Sequence, residues 1–434
     1  MINGFASHAG CDPRTPAEDA ALQLCPGKAA DEPLCLRPTR TQRFSVPPTS
    51  ENPTVEIGNL PERLCRIGPF LLRPPAIQAG LAGYSDLAMR VVARRRGCPY
   101  AVTEALLDRV LLAGGRGREK GAVLSAEDHP VAGQIMGSEA PEMAQAAKIL
   151  RQAGFDVIDL NFACPVRKVL GRCRGGYLLS HPNQAVEIMN RVRDVTPGPL
   201  TLKLRRALDG SSQAAEWFDI VSAHAVRLEF AALAVHARTV VQKYTGRADW
   251  NFLRQFKRRY PGLTIFGSGD IYTAQDALRM YRQTGVDGIW IARGAIGNPW
   301  IFRQLAALLA GGPPPAPPRI HEQQDALREH FDLALRLYPQ EQAARHMRKM
   351  GIKYARWHPR SAQVWQEFIA VRSRADWENV LAKHYVVEGP GRQERRLDKA
   401  SGEAPDAAGA GEPYSEGAGG GEDAFCRDPD AGRI

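Results

Sequence analysis

Cys164 lies in Asp159-Leu-Asn-Phe-Ala-Cys-Pro165, just after an apolar run and just before a proline. A thiol of ordinary pKa, about 8.5, stays protonated at neutral pH and can donate a proton, although most cysteines are simply buried structural thiols. Polar residues interrupt or close other apolar runs: Gln134, Asn161, Lys203, His236, Ser268 with Asp270, and Arg293. Singly, each is more often a packing or capping group; gathered on one rim they would form a site. Two glycine-bearing loops, Phe266-Gly-Ser-Gly-Asp-Ile271 and Ile291-Ala-Arg-Gly-Ala-Ile-Gly297, are either phosphate cradles of unshielded N–H groups, with Arg293 as a clamp, or plain turns that need glycine. Between Gln342 and Gln366 there is no acidic residue, while Arg345, Arg348, Lys349, Lys353, Arg356 and Arg360 alternate with His346, Tyr354, Trp357, His358 and Trp365. On a helix Arg345, Arg348, Lys349 and Arg356 share a face, suited to phosphate contact and base stacking or to plain solvation. The loop after Cys164 adds Arg167, Lys168, Arg172 and Arg174, and no Ser-His-Asp or Cys-His nucleophile elbow is visible.

Such residues need a scaffold that brings strand ends together. Eight short apolar runs are spaced about thirty residues apart: Ala76–Leu81, Tyr100–Thr103, Val131–Met136, Val157–Asn161, Leu200–Leu204, Leu233–His236, Leu263–Phe266 and Gly288–Ala292. Helical patterns lie between them, among them Pro141–Ala153, Asn183–Asp194, Ala214–Arg227, Ala274–Thr284 and Pro299–Leu309. Strand and helix alternating at that period predict an α/β fold, a (β/α)8 TIM barrel whose chemistry sits at the C-terminal ends of its strands. A doubly wound sheet would carry a glycine fingerprint; the nearest attempt, Gly114–Gly121, has Lys120 at the third glycine. The expected organisation is a disordered N-terminal extension over 1–65, a barrel over 66–310, and a Pro-rich linker over 311–318. A small all-α domain over 319–387 and a disordered acidic Gly/Ala-rich tail over 388–434 complete it.

With 434 residues, 44% hydrophobic and 24% charged, the chain reads as soluble and globular. It has no apolar run of about 18 residues and no secretory signal, so a cytoplasmic protein away from membranes is expected. Eight scattered cysteines without a CxxC pair predict free thiols and no metal site. The net charge of +10 is unevenly placed. Residues 71–387 hold 44 Lys and Arg against 28 Asp and Glu, whereas both ends lean acidic. A compact body with that excess suits a polyanionic partner.

In order and spacing these residues resemble the tRNA-dihydrouridine synthases, particularly the bacterial B-type enzymes, from about Ile67 to Tyr385. Ala79-Gly-Leu-Ala-Gly-Tyr-Ser-Asp-Leu-Ala-Met-Arg90 is similar to the family's first-strand motif, and Thr103-Glu104 and Gln134-Ile-Met-Gly-Ser138 follow. Asn161-Phe-Ala-Cys-Pro165, with Lys168-Val169 and Gly175-Gly-Tyr-Leu-Leu179, is similar to the cysteine signature. Leu202-Lys-Leu-Arg205, His236-Ala-Arg-Thr239, Gly267-Ser-Gly-Asp-Ile271 and Arg293-Gly-Ala-Ile-Gly297 complete the series. The resemblance implies an FMN barrel and a tRNA-gripping helical domain. NADPH (or NADH) would reduce the flavin, hydride would pass to C6 of a uridine, and Cys164 would protonate C5. It places Gly80, Leu81 and Ala82 beneath the flavin, Gln134, Lys203 and His236 against it, and Ser268, Gly269, Asp270, Ala292 and Arg293 at its ribityl phosphate. Asn161, Lys168, Arg238, Arg345, Arg348 and Lys349 would contact the RNA. The implied partner is tRNA, with no DNA, membrane or obligate protein partner, and the protein is expected to be a monomer. The chain departs from the family pattern at Gly80-Leu81, Ala163, Ala237, Ser268 and Ala292.

Two other functions fit parts of the pattern. An FMN-dependent oxidoreductase of a free pyrimidine, similar to dihydroorotate dehydrogenases, would share barrel and flavin but leave the basic helical domain unused. A non-catalytic RNA-binding barrel would bind tRNA without a flavin absorbance band.

Overall fold

The computed structural model describes residues 64–393; most of the expected extension and tail, and their expected disorder, lie outside the described residues. Eight parallel strands form the centre: β1 (Ala76–Gln78), β2 (Ala101–Val102), β3 (Val131–Met136), β4 (Val157–Phe162), β5 (Leu200–Arg205), β6 (Ala232–His236), β7 (Ile265–Ser268) and β8 (Gly288–Ile291). Each pairs with its sequence neighbour, and β8 pairs with β1, so the sheet closes into a barrel. A two-residue strand, Leu106–Leu107, also lies alongside the end of β3.

Two-residue periodicity sorts the side chains between two cores. Leu200, Leu202 and Leu204 face outward with Ile158, Leu160, Leu233 and Val235, and pack under the surrounding helices. The alternate residues face inward and become polar as the strands rise. Val157, Ala232, Ala234, Phe266 and Trp290 belong to an interior apolar cluster, whereas Asp159, Asn161, Thr201, Lys203, Arg205, His236 and Ser268 continue the same columns. A hairpin of Arg66–Ile67 and Phe70–Leu71 lies below β1. Its neighbours Cys65 and Leu72 join Ile67 in the interior cluster and plug the N-terminal end of the barrel.

Most expected helices fall within a residue or two of place, including Ala140–Gln152, Pro182–Val195, Ser212–Arg227 and Ala274–Thr284, the last closed by a Thr273–Asp276 capping box. Among the strands, Ala76–Gln78 stops three residues short of its expected run, and one run is shifted along the chain. The expected run Leu263–Phe266 begins at Ile265 and continues to Ser268, because pairing of Gly267 with Val235 and Ser268 with His236 outweighs the apolar character of Leu263. The helix Leu87–Arg94 is capped by Asp86, whose side chain accepts the Met89 N–H. It is tied down by a buried pair between Arg90 and Asp128. Cys65, Cys98 and Cys164 are free thiols, as expected.

After Leu309 the chain runs without regular structure to Arg319, then forms four helices, Ile320–Leu337, Gln340–Tyr354, Ser361–Ala370 and Arg374–His384. Phe331, Met347, Met350, Tyr354, Phe368, Trp377 and Tyr385 are buried among them. Gly351 has no side chain because the Phe368 ring occupies that space. Among the described residues no helix is long and apolar enough to cross a membrane.

Candidate active site

Barrel register assembles the polar strand ends. Asn161 on β4 stands beside Lys203 on β5, Arg205 beside His236 on β6, and His236 beside Ser268 on β7. The expected residues Gln134, Asn161, Lys203, His236 and Ser268 therefore lie on adjoining strands at one end of the barrel.

A hydrogen-bonded chain runs through them. Thr201 Oγ1 donates to Asp159 Oδ1 at 2.5 Å, and Gln134 Nε2 donates to Asp159 Oδ2 at 2.7 Å. Gln134 Oε1 accepts Asn161 Nδ2 at 2.8 Å, and Asn161 Oδ1 accepts the N–H groups of Ala163 and Cys164 at 3.0 and 3.1 Å. Because a carboxylate only accepts, Asp159 fixes which end of the Gln134 amide faces Asn161. Burial pushes the Asp159 pKa up to about 6, against the opposing bonds from Thr201 and Gln134 and the charge of Lys203. Gln134 and Asn161, expected to touch flavin and uracil, thus also hold each other and the Cys164 loop.

The Cys164 thiol is half-buried, and burial raises its pKa, opposed by a bond from the Val166 backbone and by the Arg205 charge. It stays protonated at neutral pH, as a proton donor must. Glycine is required behind it: Gly175 has φ +61°, and a Cβ there would lie 2.9 Å from Cys164 Cβ. Gly176 N–H donates to the Cys164 carbonyl at 3.0 Å. Arg205, buried, donates to the carbonyls of Ala163, Thr239 and Lys243 and so ties the cysteine loop to the loop after β6.

Lys203 is buried, with its ammonium 3.2 Å from the Leu204 carbonyl. Among the described residues no carboxylate makes an ion pair with it. Burial lowers its pKa to about 7, with Arg205 adding repulsion. Burial, then the charges of Lys203, Arg205, Arg238 and Arg293, holds the His236 pKa down at about 2, so the imidazole is neutral. Its Nδ1 lies 3.3 Å from Ser268 Oγ, and its buried Nε2 has no partner. In the loop after β7, Gly269 and Asp270 both take positive φ, +122° and +57°. Arg293 begins the turn after β8, between the rings of Tyr244 and Tyr272 and 3.8 Å from Asp270. At the end of β1 a side chain on Gly80 would run into the Thr103 carbonyl. Leu81 N–H is held by Ser85 Oγ at 2.6 Å, while Ala82 is exposed and Ala292 partly buried.

Four basic residues expected to face the RNA are engaged within the protein. Arg238, expected at the RNA, is fully buried and its Nη2 holds both oxygens of Asp270 at 2.7 Å. Lys349 donates to the Gly83 carbonyl and lies 4.8 Å over the Tyr84 ring, fastening the helical domain to the loop after β1. Arg356 likewise donates to the carbonyls of Gly294 and Ile296. Lys349 and Arg356 thus supply hydrogen bonds to carbonyls of the loops after β1 and β8. Arg345 and Lys168 remain exposed and Arg348 half-exposed. Arg174, expected to charge the mouth, is buried 3.7 Å from Asp108. Asp159, Thr201 and Arg205 were missed as functional candidates: an Asp inside an apolar run was the available signal for the first.

The family model for dihydrouridine synthase matches residues 77–388, spanning every strand of the barrel and all four helices beyond it. The chain belongs to the dihydrouridine synthase family. It is 33% identical to the tRNA-dihydrouridine synthase B of Xanthomonas campestris pv. campestris over 311 residues, 72% of this chain and 91% of that one. It is 33% identical to that of Pseudomonas aeruginosa over 295 residues, 68% and 85%. A probable tRNA-dihydrouridine synthase of Rhodobacter capsulatus is 34% identical over 66% of this chain and 85% of its own. As a dihydrouridine synthase the chain is a flavin-dependent oxidoreductase of tRNA processing.

Proposed function

We propose that this dihydrouridine synthase binds FMN at the barrel mouth and reduces the C5=C6 bond of a tRNA uridine, with Cys164 as the acid. The observation that carries the assignment is the Cys164 thiol, kept protonated by burial and held in place through Asn161 at the end of β4, beside Lys203. The residues present suit the cofactor. His236 Nε2 and Arg238 Nη1 are buried polar atoms without partners, and the buried Lys203 ammonium makes no ion pair among the described residues. A Cβ on Gly269 would reach within 2.7 Å of Ala248 Cβ, so the chain there is bare backbone.

FMN, when bound, supplies hydride for C6 of the uracil. The chain's own part is positioning and proton delivery. Lys203 would supply a cation to offset the negative charge of a reduced flavin, and neutral His236 would offer a ring nitrogen without adding charge. Ser268, Gly269, Asp270, Ala292 and Arg293 form the phosphate end, with Arg238 holding the Asp270 carboxylate. Gly80, Leu81 and Ala82 would line the ring, and Gln134 and Asn161 set the cysteine loop. Cys164 gives its proton to C5 as hydride reaches C6, and the thiolate is reprotonated from solvent. NADPH (or NADH) supplies the electrons. The helical domain, through Arg345 and Arg348, and the barrel, through Lys168, hold RNA with one base drawn out of its stack. The protein is assigned to the cytoplasm as a monomer.

The test is to express wild-type protein and Cys164→Ala in cells lacking dihydrouridine synthases and map dihydrouridine in tRNA by mass spectrometry. Wild type should restore the modification; the variant should bind FMN equally well yet restore none. Full restoration by the variant would remove Cys164 from the proton-donor role, and colourless wild-type protein would favour the non-catalytic RNA binder.

A further inference from the structure

Away from the barrel mouth, Asp86, His330 and His346 each offer a ligand atom, and these atoms lie within 4.8 Å of one another. They come from three different elements. Asp86 caps the helix after β1, His330 lies on Ile320–Leu337, and His346 lies on Gln340–Tyr354. His330 is fully buried, and the other two side chains are about one-tenth exposed. We propose that Asp86, His330 and His346 bind one divalent transition-metal ion, Zn2+ by the chemistry of the donors, and that the ion pins the helical domain to the barrel.

Two imidazoles and one carboxylate are a donor set that Zn2+ favours. His330 shows the arrangement expected of a ligand: its Nδ1 lies 3.3 Å from Tyr354 Oη, while its buried Nε2 has no partner. His346 Nε2 sits 3.1 Å from Asp86 Oδ2 yet makes no hydrogen bond of acceptable geometry. Two donors that close but not aimed at each other suit convergence on a common point. The outer contacts are also in place. Asp86 Oδ1 accepts Met89 N–H at 2.9 Å, Tyr338 Oη donates to Asp86 Oδ2 at 2.8 Å, and the Tyr338 ring stacks on His346. Water would complete a fourfold site. Metal–nitrogen bonds of about 2.0–2.1 Å put tetrahedral donors roughly 3.3 Å apart; the Asp86–His346 pair already meets this, and small ring rotations close the rest. The neighbouring lysines are directed elsewhere. Lys349 donates to the Gly83 carbonyl, and Lys120 lies 4.6 Å over the Tyr338 ring.

The test uses the full-length flavoprotein, stripped by a chelator and dialysed against Zn2+. Elemental analysis should find one Zn2+ per chain in wild type and none retained by Asp86→Asn or His346→Gln. Asparagine caps a helix as well as aspartate does, so Asp86→Asn keeps the fold while removing the anionic ligand. Zn2+ should raise the melting temperature of wild type and leave both variants unmoved. Co2+ provides a check on wild type alone, because this site should give visible d–d bands without thiolate charge transfer, separating it from Cys65, Cys98 and Cys164. No retained Zn2+ in wild type, equal retention in the variants, or a thiolate band with Co2+ would overturn the proposal. None of these readouts depends on the barrel's reaction.

Discussion

Lys203 and His236 stand out in the sequence because each breaks an apolar run where a core residue is expected. Their consequences come from burial inside the barrel, to which the repulsion of Arg205 adds for Lys203 and the nearby cations add for His236. Asp159 breaks its run, Val-Ile-Asp-Leu, in the same way, but its role is set only by Gln134 from β3 and Thr201 from β5, partners that no single stretch of sequence shows. Its protonation carries a sign. Above pH about 6 the carboxylate accepts from both neighbours; below it a proton occupies an acceptor site, and the orientation of Gln134 and Asn161 slackens. Activity should therefore fall as pH drops through about 6. Asp159→Asn should lower kcat about tenfold, a loss of about 1.4 kcal/mol of transition-state positioning, and abolish that acid limb, which a pH–rate profile reads directly. The same raised pKa means that burying ionised Asp159 costs stability above pH 6, so Asp159→Asn should leave the melting temperature unchanged or higher at pH 8.

At the scale of elements, alternation made the barrel legible, since every strand except β7 lies largely inside its expected run. The helix Leu87–Arg94 was less visible, its pattern merged with a motif and its anchor remote. Arg90 reaches Asp128, 38 residues on, through Nε and Nη2, with both side chains almost wholly buried. Removing one partner of such a pair strands the other charge. Asp128→Ala should destabilise the protein by about 3–5 kcal/mol, measured by urea unfolding with flavin fluorescence as the probe. The basic face of the helical domain was legible as charge but not as use. Only partners on the barrel reveal that Lys349 and Arg356 serve docking while Arg345 and Arg348 face outward.

For the whole molecule that division predicts two kinds of variant. Arg345→Ala and Arg348→Ala should weaken tRNA binding and each reduce the dependence of log Kd on log salt by roughly 1, seen by filter binding across a salt series. Lys349→Ala should leave that slope nearly unchanged and lower the melting temperature, because it loosens the seat of the helical domain. The hairpin below β1 has a consequence of another kind. With Cys65, Ile67 and Leu72 filling the foot of the barrel among the described residues, entry to the interior is expected at the mouth, where the strand ends gather. If electron donor and RNA both enter there, each should compete with the other, and steady-state kinetics should show an excess of either one slowing turnover; no such mutual inhibition would mean that they enter by separate routes.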